Sequence, residues 1–124
     1  MTSLAHAAPA ARRLSDAAVR SLAEALAAAL SPDRVLTGED VRRQHGTDES
    51  FHPPAAPDVV VFPLGVEDAA RVVAVCAEHG APIVPFGAGT SLEGHIAALH
   101  GGVSVDMSRM DKVLRLSIDD MDVT

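Results

Sequence analysis

A single cysteine, Cys76, stands in the whole sequence, so no disulfide can form within one chain. A reducing, cytoplasmic setting is expected, with peripheral attachment to a membrane left open. No apolar run approaches the roughly 20 residues that a membrane span requires, and the first residues do not read as a signal peptide. Basic residues are few and scattered: ten Lys and Arg against seventeen Asp and Glu leave a net charge of −7. Phosphate-backbone binding is driven by clustered cations, so nucleic acid is excluded as a partner. Glycine (9) and proline (8) together make 17 of 124 residues, too few for a fibrous or low-complexity chain. What is there, 48% apolar and 22% charged residues, is the composition of one globular domain.

The opening run "MTSLAHAAPAARRL" carries arginines and no acids, a composition shared by transit peptides and unstructured tails, and is read as a disordered tail over 1–14. From Ser15 the pattern changes. Val19, Leu22, Leu26 and Leu30 recur at helical spacing, with Ser15 placed to cap and Pro32 to stop, which predicts a helix over 16–30. A brief strand over 34–37 and a short helix ending near Gly46 follow, so 15–56 is expected to be an N-terminal helical segment.

The centre of the chain is clearer. "DVVVF" (58–62) is a continuous β-branched run of the kind found in parallel strands covered on both faces. A helix over 66–79 is predicted next: Val66, Ala69, Ala70, Val73, Cys76 and Ala77 share one face, Glu67 and Asp68 sit at the positive end of the dipole, and Gly80 with Pro82 ends it. "PIVPF" is a second apolar run, and the 20 residues separating Phe62 from Ile83 suit a right-handed β-α-β crossover between parallel strands. "GGVSVDMS" and "KVLRLS" read as further strands. "MDVT" reads as the start of another, with no turn or partner, so the chain is expected to be a fragment of a longer protein.

Directly behind "PIVPF" lies the turn "GAGTSLEGH". A dinucleotide fingerprint G-x-G-x-x-G fails at its third glycine, where Leu92 stands. A P-loop has the right glycine spacing from Gly89 to Gly94, yet His95 and Ile96 replace its lysine and hydroxyl residue, which argues against ATP hydrolysis. Gly87, Ala88, Gly89, Thr90 and Ser91 remain as a side-chain-poor bend whose successive N–H groups can form a nest around a diphosphate. Taken alone, the bend has two readings: such a nest, or a turn that merely reverses the chain.

The runs "QHGTDES", "PDVVVFP", "PIVPFGAGTSLEGH" and "GGVSVDMSRMDKVL", followed by "DDMDV", resemble, in the same order, the N-terminal half of the FAD-binding domain of cytochrome-type D-lactate dehydrogenases. These flavoproteins belong to the superfamily of vanillyl-alcohol oxidase and p-cresol methylhydroxylase. The resemblance spans about residues 34–124 and implies an α+β fold: the N-terminal half of a p-cresol-methylhydroxylase-type FAD-binding domain over 57–124, with a β-α-β unit and additional strands. It implies FAD, its diphosphate held by Phe86, Gly87, Ala88, Gly89, Thr90, Ser91 and Leu92 with Gly94, and Thr90 as the principal side-chain donor. Some superfamily members attach FAD through a histidine in this loop, but closer to the glycine pair than His95 is, so non-covalent FAD is expected. The implied reaction is oxidation of a D-2-hydroxy acid such as D-lactate, with glycolate and 2-hydroxyglutarate as alternatives. A histidine outside these residues takes the hydroxyl proton, the flavin accepts hydride, and electrons pass on to a cytochrome or quinone. A divalent metal is implied only for the C-terminal part of such enzymes, and no catalytic base is expected within this chain. The competing reading is a non-catalytic module that binds a phosphate or flavin.

Three other features read as structural. His45, Asp48 and His52 match no zinc spacing and are expected in a polar loop with satisfied hydrogen bonds. Cys76 is expected to be a buried small hydrophobe, and "DDMD" to solvate a turn.

Overall fold

A computed structural model describes residues 13–124. The first helix, α1 (Asp16–Ala29), begins where the sequence predicts, with the Ser15 hydroxyl accepting from the Ala18 N–H, and buries Leu22 and Leu26. A single 3-10 turn, Pro32–Arg34, leads into β1 (Val35–Leu36), and α2 (Glu39–Gln44) follows. Then come β2 (Val59–Val61), α3 (Val66–Glu78), β3 (Ile83–Phe86) and β4 (Val103–Asp106). A two-stranded ribbon, β5 (Leu116–Ser117) and β6 (Asp122–Val123), ends the chain. The tail expected over 1–14 lies outside the described residues up to position 12. Arg13 already belongs to the fold, donating to Asp58 and to the Ala56 carbonyl, and Leu14 packs on the core.

The main sheet runs β1-β2-β4-β3, with β1 antiparallel to β2 and the other pairings parallel. The two strands joined through α3 are thus parallel, as the crossover length predicts. They are not neighbours: β4 lies between them, with Val103 opposite both Val59 and Ile83. Because β1 pairs with β2, the 15–56 segment contributes a strand to the sheet as well as helices.

Parallel strands must be covered on both faces to satisfy their apolar side chains. Val59, Val61, Val103 and Val105 point to one face and meet Leu22 and Leu26 of α1 and Val72 and Cys76 of α3 in a single cluster. The alternate residues Val60 and Ser104 are equally buried on the opposite face. The predicted face of α3 needs correction. Val66 and Val73 are 76% and 53% exposed, and Val72, absent from the expected stripe, is fully buried. The arc that faces the core runs through Val72, Val75 and Cys76. Burial pushes the Cys76 thiol up to about 11, so it behaves as a small hydrophobe.

The expected unpaired terminal strand is also corrected. Asp122–Val123 does have a partner and a turn: it pairs antiparallel with Leu116–Ser117 across the acidic turn 118–121. Arg115 donates to both carboxylate oxygens of Asp122, and Ser117 to Asp120. The acidic run therefore shapes the turn as well as solvating it.

Candidate functional site

Strands β3 and β4 end side by side at Phe86 and Asp106, and the Met107 N–H donates to the Phe86 carbonyl, which locks the two strand ends together. Loops leaving the C-terminal ends of parallel strands are the usual place for ligands in such sheets. The bend 87–94 leaves from that edge.

Gly89 has φ +69°, and a Cβ placed there would lie 2.7 Å from Cζ of Phe86. Two physical demands, left-handed backbone and close approach to an aromatic ring, thus require glycine at 89. Gly87 differs: a Cβ there would meet nothing within 4 Å. Nothing inside the protein asks for a small residue at 87, so the free space beside it faces outward, where a ligand can reach the main chain. Among the described residues, no backbone N–H from Gly87 to Leu92 donates to another group of the protein. Thr90 and Leu92 are exposed, Leu92 at 66%, and the Thr90 hydroxyl makes no hydrogen bond to a described residue. Ser91 is engaged, its Oγ 2.9 Å from Nδ1 of His95. Gly94 passes over the His52 ring, whose Cδ2 is 2.5 Å from where a Cβ would sit. The segment Phe86 to Gly94 is therefore one continuous rim, poor in side chains and rich in amides without acceptors. That donor set fits a diphosphate, whose oxygens accept and cannot donate.

Beneath this rim lies a buried group that composition did not reveal. His45, at the C-terminal cap of α2, is 4% exposed, and Asp106, at the end of β4, 5%. Nδ1 of His45 lies 2.8 Å from the Val41 carbonyl and Nε2 2.8 Å from Oδ2 of Asp106. Both ring nitrogens are thus engaged, and the His45–Asp106 contact is buried. Burial pushes the Asp106 carboxyl up, but hydrogen bonds from Ser108 and His45 outweigh it, and the net direction is below the ordinary carboxylate value. The His45 ring is 4.3 Å from that of Phe86, centroid to centroid, and meets Phe62 edge-on at 6.0 Å. Arg109 lies over the other ring of this group, 4.5 Å from the Phe62 centroid.

The predicted site residues Phe86 to Leu92 and Gly94 are thus brought together on one rim. His45, Asp48 and His52 are separated in role. Asp48 accepts from the Ser50 N–H, and Ser50 holds its carboxyl below the ordinary value. Oδ2 of Asp48 is buried without a partner among the described residues. His52 is exposed and stacks on Phe51 at 4.1 Å. No group of three or more His, Cys, Asp or Glu among the described residues is arranged to hold a metal ion. Nor is any described helix long and apolar enough to cross a membrane. Sequence reasoning missed the pairing of His45 with Asp106; its one local signal was a polar residue closing the apolar run "VSV".

Residues 57–124, more than half of the chain, match the sequence model of the family described as "FAD binding domain". The chain is 43% identical over 108 residues to a probable mitochondrial D-lactate dehydrogenase of Danio rerio, covering 87% of this chain and 22% of that protein. It is 46% identical over 93 residues to the mitochondrial D-lactate dehydrogenase [cytochrome] of Arabidopsis thaliana, covering 73% and 16% respectively. Among solved structures, p-cresol methylhydroxylase with substrate bound superposes with a TM-score of 0.74 at 25% identity, over 84% of this chain and 21% of that one. Alkyldihydroxyacetonephosphate synthase gives 0.72 at 27% identity, over 90% and 22%. The α+β architecture is thus that of the p-cresol-methylhydroxylase-type flavoenzymes. The chain spans about a fifth of the length of the curated relatives it matches.

Proposed function

This chain belongs to the FAD binding domain family, and we propose from that membership that it forms the diphosphate-holding part of a flavin-dependent D-lactate dehydrogenase. In this reading it works within a longer polypeptide whose remainder supplies the substrate site, the catalytic base and any divalent metal. The observation that carries the reading is the run of amides from Gly87 to Leu92 without acceptors, set beside free space at Gly87.

The chain's own residues bind and orient. Amides of Gly87, Ala88, Gly89, Thr90, Ser91 and Leu92 would hold the diphosphate, and the Thr90 hydroxyl would add a side-chain donor. Aligned amide dipoles and hydroxyls offset a dianion without a lysine or arginine, which suits a chain of net charge −7. Gly94 carries the main chain over His52 without a side chain in between. His95 is already engaged by Ser91, which supports non-covalent attachment. When bound, FAD supplies the two-electron acceptor for oxidation of a D-2-hydroxy acid. A cytochrome or quinone would then serve as the electron acceptor. The lone buried cysteine supports a reducing compartment, the cytoplasm in this reading.

The test is to purify the full-length protein and follow its flavin absorbance anaerobically as D-lactate is added. The reading expects a yellow protein bleached by D-lactate. A well-folded, colourless product contradicts it, and a yellow product bleached only by glycolate or 2-hydroxyglutarate reassigns the substrate.

A further inference from the structure

Three elements converge under the rim: the C-terminal cap of α2 at His45, the last residue of β3 at Phe86 and the last residue of β4 at Asp106. They form a column. Asp106 is fixed by the Ser108 N–H on one oxygen (2.8 Å) and by His45 on the other (2.8 Å). His45 is fixed at its second nitrogen by the Val41 carbonyl, so its ring cannot rotate without breaking a buried hydrogen bond. That ring lies 4.3 Å from the Phe86 ring, and Gly89 lies against the tip of the same Phe86 ring, where a Cβ would come within 2.7 Å of Cζ.

We infer that His45 is a positioning residue for the cofactor turn: it holds the Phe86 ring as the platform that sets the Gly89 backbone, and with it the direction of the neighbouring amides. The inference rests on the reading of that turn as the FAD diphosphate site. Its physical basis is the short range of a nest. Amide donors act at hydrogen-bond distance, and no backbone–backbone hydrogen bond ties down residues 87–92 of the turn, whose internal bonds are confined to the Ser91 hydroxyl, so packing is what fixes the backbone at Gly89. Phe86 supplies that packing from below, and Phe86 itself, only half-buried at the end of an edge strand, needs support. His45 gives it a rigid ring that is held in turn by two strong hydrogen bonds. A buried polar pair contributes little net stability compared with apolar side chains of like volume, so the His45–Asp106 contact is better explained by the orientation its two hydrogen bonds fix.

The test measures FAD affinity of the full-length protein by flavin fluorescence titration in wild type, Phe86→Leu, His45→Gln and the double variant, with thermal melts of each apoprotein. Each single substitution is expected to weaken FAD binding about tenfold. If His45 acts through Phe86, the double variant loses about tenfold as well, and not the roughly hundredfold of independent sites. A rescue variant, His45→Phe with Asp106→Asn, returns an aromatic ring opposite Phe86 and removes the buried charge; it is expected to bind within about threefold of wild type. It also carries the test, together with Phe86→Leu, should His45→Gln fold too poorly to titrate. The inference is overturned if His45→Gln lowers the melting temperature yet leaves FAD affinity unchanged, if the two losses multiply, or if the rescue variant folds but binds weakly. Wild-type protein that takes up no FAD overturns the parent reading and this inference together, and is recognised as such before any variant is made.

Discussion

Two glycine bends flank strands of the same sheet, one entering β4 and one leaving β3, and they handle their amides in opposite ways. At Gly101–Gly102, which leads into β4, the protein supplies its own anion: Oδ2 of Asp58 accepts from the Gly102 N–H at 2.7 Å, and Arg13 pairs with Oδ1 of the same carboxylate. Both glycines have positive φ and both are packed shut, since a Cβ at 101 would strike Asp58 and one at 102 the Pro82 carbonyl. At Gly87–Leu92, which leaves β3, no side chain of the described protein answers the amides, and the space beside Gly87 is free. Glycine in a bend therefore carries no single meaning. A bend whose N–H groups meet an internal carboxylate is a structural device. A bend whose N–H groups meet nothing is built for an acceptor from outside.

That contrast can be broken at either bend, and the largest effect belongs to the closed one. Gly102→Ala combines left-handed strain at φ +84° with a Cβ that would collide with the Pro82 carbonyl oxygen. A loss of roughly 3–5 kcal/mol in urea-unfolding free energy is expected. Gly89→Val strikes the open bend. It should weaken FAD binding on the order of 100-fold, about 2.7 kcal/mol, in a fluorescence titration, because the branched side chain meets Phe86 and blocks the amides. Unchanged flavin content would place the diphosphate elsewhere. Asp58→Ala removes the internal anion and leaves the buried Gly102 N–H without its acceptor. About 2 kcal/mol of stability should go, with FAD affinity unaltered, and a matching loss of affinity would dissolve the distinction between the bends.

The smallest effect concerns the support beneath the open bend. The Asp106 carboxyl is held below its ordinary value, so the stability it contributes is complete above its unfolded value, about 3.9, and is lost as pH falls through the lower folded value. Asp106→Asn should therefore be less stable than wild type at pH 7, with the gap narrowing below about pH 4 in urea midpoints taken down the pH scale. Parallel curves for the two proteins would show that the carboxylate has no such role.

What the sequence discloses depends on how local the cause is. The cap at Ser15, the burial of Leu22 and Leu26 and the limits of α3 follow from spacing within a few residues, and the structure has them in place. The glycine rim was legible for the same reason. The buried stripe of α3 was not, because alanines at 69, 70 and 77 widen the apolar arc and only the neighbouring strands decide which part faces inward. The place of β4 between β2 and β3 depends on two pairings that are non-local in sequence, and periodicity carries no trace of either. Strands are legible at both "KVLRLS" and "MDVT", but their pairing with each other is not, because the turn between them relies on Met121 at φ 52°, a conformation that methionine does not advertise. His45 and Asp106 stand 61 positions apart, so their pairing belongs to the fold alone.

One measurement bears most directly on the central claim that main-chain amides of the open bend hold the cofactor's diphosphate: a crystal structure of the full-length protein with FAD bound. The account predicts diphosphate oxygens within roughly 2.7–3.2 Å of several nitrogens between Gly87 and Leu92. A diphosphate bound by other residues, with those amides turned to solvent, would contradict it.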